Sequence, residues 1–209
     1  APAPVADGID RSGTPLLEMR HMMKSFGGIH AVDDVSINLW PGEVVGVLGH
    51  NGAGKSVLMK MLSGALPRDG GEIFVKGERA DIHNPRDARR YRIETIYQYL
   101  ALADNLDAAS NLFLGRELVT SLGFVDDAQM EAETRKIMGR LNPNFRRYAA
   151  PVKALSGGQR QSVAIARAVY FNAEILIMDE PTAALGVEEP RMVAELIGEL
   201  KKQGLGILL

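Results

Sequence analysis

The sequence predicts an α/β fold in which helices pack on a parallel β-sheet, and two apolar runs carry that prediction. Residues 43–48 form the first run, and a glycine-rich turn and then apolar residues at helical spacing follow it. Residues 175–178 form the second run, which ends at two carboxylates. Apolar runs of this kind are typical of strands that are buried on both faces. Ligands bind at the carboxyl ends of such strands, so we expect a binding site where the two runs end.

The other elements in the first half of the chain follow from periodicity and turn residues. Residues 1–14 are rich in Ala, Pro, Gly and Asp and are predicted to be a flexible leader. Strand-like sequence begins at Leu16, and residues 72–75 form a further strand. A helix is predicted to start at Asn84, with proline next to it, an acidic first turn and arginines towards its end. Residues 93–97 form a short strand.

The second half of the chain begins with a predicted helical insertion at 99–155. Asp126 and Gln129 resemble a helix-capping pair there, and one face of the following helix is apolar, with Met130, Thr134, Ile137, Met138 and Leu141. Another helix is expected from about Glu188, with a buried stripe of Met192, Val193, Leu196, Ile197 and Leu200. The sequence ends at 206–209, inside a predicted core strand, so we expect it to be truncated.

The length, net charge and cysteine content of the chain limit the kinds of function that it can have. The chain has 209 residues, enough for one well-packed domain, and its formal net charge is −2, which gives no overall electrostatic signal for nucleic acid. There is no cysteine, which excludes disulfides and thiolate metal sites. No run approaches the length of a transmembrane helix, so a membrane role would require a partner.

The turn after the first apolar run has the residues of a phosphate-binding loop. Residues 49–56 match G-x-x-x-x-G-K-[ST] between a predicted strand and a predicted helix. Glycines let backbone N–H groups approach a phosphate closely, and the helix start adds its positive dipole end. Lys55 should reach the β- and γ-phosphates, and the Ser56 hydroxyl should ligate Mg²⁺. The spacing of a dinucleotide-binding G-x-G-x-x-G is absent.

The carboxylates after the second run are candidates for the chemistry of hydrolysis. Asp179 ends a dry apolar strand, where a carboxylate is best explained by a ligand, and we expect it to hold Mg²⁺ directly or through water. Glu180 would then polarise the water that attacks the γ-phosphate. The alternative is a strand that runs into a solvated acidic turn.

A second anion-binding element is predicted at Leu-Ser-Gly-Gly-Gln, residues 155–159, which precedes a helix rich in Ala and Val. Ser156 and the amides of Gly157 and Gly158 form another helix start that favours an anion. Two such elements are redundant in a monomer, and a plain serine-capped helix is the other interpretation.

The order and spacing of these motifs, with Gln98 between them, resemble the ATP-binding subunits of ABC transporters over about residues 16–209. The resemblance implies a P-loop NTPase core with a small antiparallel β subdomain and an inserted helical subdomain, and ATP and Mg²⁺ as cofactors. It implies domain boundaries at 1–14 (leader), 15–98 (first part of the core), 99–160 (helical subdomain with the pentapeptide) and 161–209 (second part of the core, truncated).

The resemblance also implies the roles of individual residues. The pentapeptide contacts ATP bound to the other subunit of a head-to-tail dimer, and Gln98 senses Mg²⁺ and the attacking water. Phe26 occupies the position of an aromatic ring that stacks on adenine, with core packing as the alternative. Lys55, Gln98 and Glu180 are the catalytic candidates, and Ser56, Gln98 and Asp179 are the metal candidates. The candidate nucleotide-binding residues are Phe26, Gly49, Asn51, Gly52, Ala53, Gly54, Lys55, Ser56, Val57, Ser156, Gly157, Gly158 and Gln159.

Two positions depart from the family's pattern. The family usually has Asp four residues after the position of Thr182, in its dimer-contact loop, whereas this chain has Gly186. The family also places a switch histidine just beyond the strand in which this sequence ends. The four histidines of the chain lie elsewhere, at 21, 30, 50 and 83.

Segments 58–64 and 111–117 are similar to the ATP-binding subunits of bacterial monosaccharide importers. This similarity implies an ATP-hydrolysing subunit that forms a homodimer with ATP and energises a membrane permease, served indirectly by a periplasmic sugar-binding protein. The subunit would lie at the cytoplasmic face of the bacterial inner membrane and bind no nucleic acid. The alternatives are a soluble ABC ATPase that acts on nucleic acid or ribosomes and a regulatory module that binds nucleotide without turnover.

Overall fold

A computed structural model describes residues 8–50, 52–96, 102–179 and 189–209. The described chain divides into two compact units. The first takes in residues 8–95, 173–179 and 197–209, and the second takes in 96–172 and 189–196, within the described ranges. None of the helices in these ranges has both the length and the apolar character needed to cross a membrane.

The elements alternate between strands and helices, as an α/β fold requires. The strands are β1 (Leu17–Phe26), β2 (Ile29–Leu39), β3 (Val44–Val45), β4 (Gly70–Val75), β5 (Glu78–Arg79), β6 (Ile93–Ile96), β7 (Ile175–Met178) and β8 (Gly206–Leu208). The helices are α1 (Lys55–Leu62), α2 (Pro85–Arg90), α3 (Ala108–Phe113), α4 (Asp127–Leu141), α5 (Gly157–Tyr170) and α6 (Glu189–Lys202). A short 3₁₀ helix lies at Val152–Ala154.

The predicted antiparallel β subdomain is present in the first unit. Its strand order is β2-β1-β4-β5, and β1 pairs antiparallel with both β2 and β4. Leu17, Met19, Met22 and Lys24 of β1 are buried, in an alternation that is offset between Met19 and Met22, where the pairing with β2 shifts register. This alternation is what a sheet with one face on the core produces.

A second sheet has the order β3-β8-β7-β6, with parallel pairing of β8 to β3 and to β7. All residues of β7 and β8 are buried, as predicted for core strands. The prediction for the run at 43–48 is wrong in part. Only β3 forms there, and Leu48 is 95% exposed. In the described part of the chain β3 is an edge strand that pairs with β8 alone, so one neighbour shields it instead of two.

Capping residues start the helices where the sequence predicts them. The side chain of Asn84 accepts hydrogen bonds from the backbone N–H groups of Arg86 and Asp87 at the start of α2. The carboxylate of Asp126 accepts from the N–H of Gln129 at 2.9 Å at the start of α4. Both caps satisfy donors that have no partner within the helix.

The predicted apolar stripes of α4 and α6 are largely confirmed. The stripe of α4 is buried at Met130, Thr134, Ile137 and Met138, while Leu141 packs against the same core from a partly buried position. In α6, Val193, Leu196 and Leu200 are buried and Ile197 is half-buried, whereas the Met192 side chain lies outside the described part of the chain.

Asn111 organises the loop before α3 in the second unit and is fully buried. Its amide nitrogen donates to the carbonyls of Ala103, Leu106 and Asp107, and its amide oxygen accepts from the N–H of Ala103. A buried amide with its hydrogen-bonding capacity used in this way fixes loop geometry. The sequence drew attention to 111–117 only as a family-like segment, so this structural role was missed.

Glu174 joins three parts of the first unit just before β7. Its carboxylate lies 2.5 Å from Lys76 Nζ and 2.5 Å from the Arg92 guanidinium. Burial favours the neutral form of Glu174, but Lys76 and Arg92 outweigh it and hold the pKa of this carboxyl below its usual value.

We expect Glu174→Gln to lower the free energy of unfolding by about 1–3 kcal/mol at neutral pH, because two cations lose a charged partner. Since the pKa is lowered in the folded state, this stabilisation is present above the usual carboxyl pKa and is lost as the pH falls through the lowered one. Urea denaturation of both proteins at neutral pH and near ~pH 3 tests this. Glu199→Gln, in an exposed pair with Lys202, is the control and should change stability little. A difference between Glu174→Gln and the unmodified protein that does not shrink with falling pH would contradict the role of the charge.

Candidate nucleotide-binding site

Glycines shape the loop that leads from β3 into α1. Gly54 precedes the first residue of α1 with φ +83°, and Gly52 has φ +85°, a region that favours glycine. A Cβ at Gly54 would overlap the carbonyl oxygen of Ala31 at the start of β2, and one at Gly49 would come within 2.9 Å of the Ala53 Cβ. The loop is therefore folded against β2 in a way that a side chain at Gly54 would prevent.

Lys55 folds back over this loop. Its Nζ donates hydrogen bonds to the carbonyl oxygens of Gly49 at 2.7 Å and His50 at 3.1 Å. Carbonyl oxygens orient the ammonium without neutralising it, so its positive charge remains for an anion at the loop. The side chain is only half-buried, which leaves the charge accessible.

Ser56 and Asp179 meet at the end of the parallel sheet. The Ser56 hydroxyl donates a hydrogen bond to Asp179 Oδ1 at 3.1 Å, across 123 positions of sequence. Asp179 directly follows β7, whose four residues are all buried. The structure thus brings together the phosphate-loop serine and the strand-end carboxylate.

The donor set of this pair fits Mg²⁺. A hydroxyl and a carboxylate are the hard oxygen ligands that Mg²⁺ prefers, and this ion usually keeps waters and phosphate oxygens as its other ligands. The described residues contain no cluster of three or more His, Cys, Asp or Glu side chains suited to a metal. Ser56 and Asp179 supply two hard oxygen ligands, which suits an ion whose other ligands are water and phosphate oxygens.

Phe26 stands at the end of β1 and is 47% exposed. A two-residue turn, Gly27 and Gly28, joins it to Ile29 of β2. The ring is therefore not part of the core, and the core-packing alternative is wrong. Two residues beyond Ile29, the carbonyl of Ala31 packs closely against Gly54. The hairpin that carries Phe26 therefore contacts the phosphate loop directly.

The pentapeptide at 155–159 lies in the second unit and starts α5. The Ser156 side chain accepts from the N–H of Gln159 at 3.3 Å, and the Gln159 side chain accepts from the N–H of Ser156 at 3.1 Å. This reciprocal cap fixes the first turn of α5, which holds Gly157 and Gly158. The serine-capped interpretation is correct, and the exposed Ser156 leaves the helix start open to an anion.

Several predicted residues lie outside the described part of the chain. They are Asn51, Gln98 and Glu180, together with the loop at 183–186 that departs from the family's pattern. Their roles stay predictions. Val57 lies in α1, partly buried against the core of the first unit.

Comparison with known proteins identifies the family. A family model described as ABC transporter matches residues 32–183, nearly three quarters of the chain. The chain belongs to the ABC transporter family. As an ABC transporter ATPase it binds and hydrolyses a nucleotide, which agrees with the sequence of the phosphate loop at 49–56.

Curated relatives to which this ABC transporter ATPase is similar carry names from sugar import. It is 49% identical to the xylose/arabinose import ATP-binding protein XylG of Sulfolobus acidocaldarius, over 93% of this chain and 77% of that protein. It is 44% identical to the fructose import ATP-binding protein FrcA of Rhizobium meliloti, over 93% and 78%. It is also 44% identical to the ribose import ATP-binding protein RbsA of Caldanaerobacter subterraneus, over 93% of this chain but 39% of that protein.

Solved structures confirm the cassette fold. A nucleotide-free ATP-binding cassette from an ABC transporter superposes with a TM-score of 0.81 at 26% identity, covering 93% of this chain and 80% of that one. A cassette in its ADP conformation gives a TM-score of 0.80 at 27% identity, with the same coverage of both chains. The predicted fold class, a P-loop core with an antiparallel β subdomain and a helical insertion, is therefore confirmed.

Proposed function

We propose that this ABC transporter ATPase energises the import of a simple sugar through a separate membrane permease. The hydrogen bond from Ser56 to Asp179 carries the ATPase half of the proposal, because it joins the two motifs that position Mg²⁺ and the phosphates. The names of the relatives support the sugar half, since XylG, FrcA and RbsA are import proteins for pentoses and a ketohexose.

Each residue of the site has one task in ATP hydrolysis. The loop amides from Gly49 to Gly54 and the start of α1 receive the β- and γ-phosphates, and the Lys55 ammonium offsets their charge. Ser56 and Asp179 would hold Mg²⁺, which would supply positive charge to offset that of the phosphates. Glu180, the next residue after Asp179, orients the water for attack on the γ-phosphate, and Gln98 senses both the metal and that water.

Two further contacts complete the site, one to the adenine base and one to the phosphates from a second copy of the chain. Phe26 stacks on adenine with its exposed ring. Ser156, Gly157, Gly158 and Gln159 contact the γ-phosphate of ATP bound to a second copy of the chain, so two copies enclose two nucleotides. The reciprocal cap at Ser156 supports this role, because it fixes the first turn of α5 before any ligand arrives.

The partners follow from the transporter family. The homodimer would dock on permease subunits at the cytoplasmic face of the inner membrane, and a periplasmic binding protein would deliver the sugar. A soluble ATPase that acts on nucleic acid is the less favoured alternative, because the formal net charge is −2 and the most similar relatives named above are import proteins.

Sugar uptake in cells that lack the protein tests this proposal. We expect uptake of one labelled pentose or of fructose to fall to background, and to return with the wild-type protein but not with Lys55→Ala. Lys60→Ala is the matched control, because Lys60 lies on the same helix with an exposed side chain. Unchanged uptake of xylose, arabinose, ribose and fructose in the deficient cells would contradict a role in the import of these sugars.

A further inference from the structure

The end of β1 is irregular where it approaches the exposed ring of Phe26. The pairing of β1 with β2 shifts register between Met22 and Lys24 and again between Lys24 and Ser25. Such irregularities leave backbone groups outside the regular ladder and re-aim the side chains beside them. A side chain that binds this stretch from another element would therefore help to keep the ring in a fixed place.

Asp69 supplies that support from the segment before β4. Its Oδ1 accepts a hydrogen bond from Lys24 Nζ at 2.6 Å, and its Oδ2 accepts from the backbone N–H of Ser25 at 2.8 Å. Its own N–H donates to the carbonyl of Met23 at 3.0 Å. One residue thus binds three consecutive positions of β1 immediately before Phe26.

Lys24 contacts both Asp69 and the Phe26 ring. It is only 8% exposed although it is a lysine, and its Nζ lies 5.5 Å from the centroid of the Phe26 ring. A cation at this distance is attracted to the face of an aromatic ring. The hydrogen bond from Lys24, followed by that from the Ser25 amide, holds the pKa of Asp69 below its usual value, as expected for a carboxylate that is paired with this cation.

We propose that Lys24 and Asp69 are positioning residues for the purine base: Asp69 fixes the end of β1 and the Lys24 ammonium, and the ammonium holds the Phe26 ring in the plane that the base stacks on. This inference rests on the proposed contact between Phe26 and adenine. In this proposal Lys24 and Asp69 act on the base only through the Phe26 ring. The pair lies 45 positions apart in sequence.

A positioning role can be distinguished from a general structural role by testing whether the effects of Lys24 and Asp69 substitutions depend on Phe26. We expect Asp69→Asn and Lys24→Met each to weaken ATP binding by about 3- to 10-fold in the wild-type background. In the Phe26→Ala background neither substitution should weaken it further, because the ring that they position is absent. Lys24→Arg keeps a cation for both Asp69 and the ring and should restore most of the affinity. Isothermal titration with ATP and Mg²⁺ measures all of these.

The same strand provides a matched control. Arg20 pairs with Glu18 at 2.7 Å and lies 4.3 Å from the ring centroid of Phe74, so it forms the same acid–cation–aromatic arrangement away from the turn that follows Phe26. Glu18→Gln should leave ATP affinity unchanged. Thermal unfolding of every variant shows whether a loss of affinity is caused by a loss of folded protein. If Asp69→Asn is unfolded, Lys24→Met and Lys24→Arg test the positioning role instead.

The outcomes distinguish this inference from the function on which it rests. If Phe26→Ala binds ATP as tightly as wild type, the stacking role of Phe26 fails and the positioning role fails with it. If Phe26→Ala binds weakly but Lys24→Met matches wild type, the positioning role alone is overturned. Effects of Lys24→Met that are equal with and without Phe26 would also overturn it, because they would reflect a structural role independent of the ring.

Discussion

Replacing Lys55 by alanine is expected to weaken ATP binding by about 10²- to 10³-fold, the scale seen when one partner of a close charge pair is removed. The Lys55 ammonium donates hydrogen bonds to the carbonyls of Gly49 and His50, which orient it without neutralising its charge. Its loss removes a positive charge that would otherwise offset the charge of the triphosphate. Hydrolysis at physiological ATP should then fall to background.

Titration with a fluorescent ATP analogue measures this affinity. Lys60→Ala on the same helix is the control, since its exposed side chain should leave binding unchanged. Because Lys55 is half-buried and its ammonium bonds to loop carbonyls, the variant should also keep its thermal stability. An affinity of Lys55→Ala within a factor of about two of wild type would remove Lys55 from the site.

Glu180→Gln should separate binding from hydrolysis. The amide keeps the shape of the carboxylate but cannot accept a proton from the attacking water, so we expect ATP to bind normally while turnover falls by about 10²- to 10⁴-fold. The Lys55 loop, Ser56 and Asp179 are unchanged in this variant, which is why affinity should survive. Phosphate release under saturating ATP and Mg²⁺ measures turnover.

The same variant should accumulate as a dimer with ATP, because the nucleotide that holds two copies together is no longer hydrolysed. Light scattering with and without ATP measures this. Glu78→Gln, on an exposed edge strand, is the control and should turn over normally and dissociate. Turnover of Glu180→Gln at the wild-type rate would mean that another residue activates the water.

The sequence was sufficient to predict Ser56 beside Asp179. Both residues follow apolar runs that belong to one sheet, and the carboxyl ends of parallel strands meet at one edge. The reciprocal cap between Ser156 and Gln159 could also be predicted from the sequence, because such caps are local and depend on a three-residue spacing.

The parts that could not be predicted depend on distant pairs or on the position of a strand within its sheet. Nothing in the sequence links Lys24 to Asp69 or the carbonyl of Ala31 to Gly54, since each contact forms only when separate elements pack. The run at 43–48 shows the other limit, because an apolar run does not reveal whether its strand is central or at an edge. Leu48 lies beyond the end of β3 and is exposed, although it was expected in the core.

Phosphate release from ATP by the purified protein, with Mg²⁺ and with Mg²⁺ removed by EDTA, tests most directly whether the loop at 49–56 and Asp179 form one ATPase site. We predict saturable hydrolysis with Mg²⁺, background release with EDTA, and background release from Lys55→Ala in both conditions. Hydrolysis that is equal with and without Mg²⁺, or that persists in Lys55→Ala, would contradict a site built from Lys55, Ser56 and Asp179.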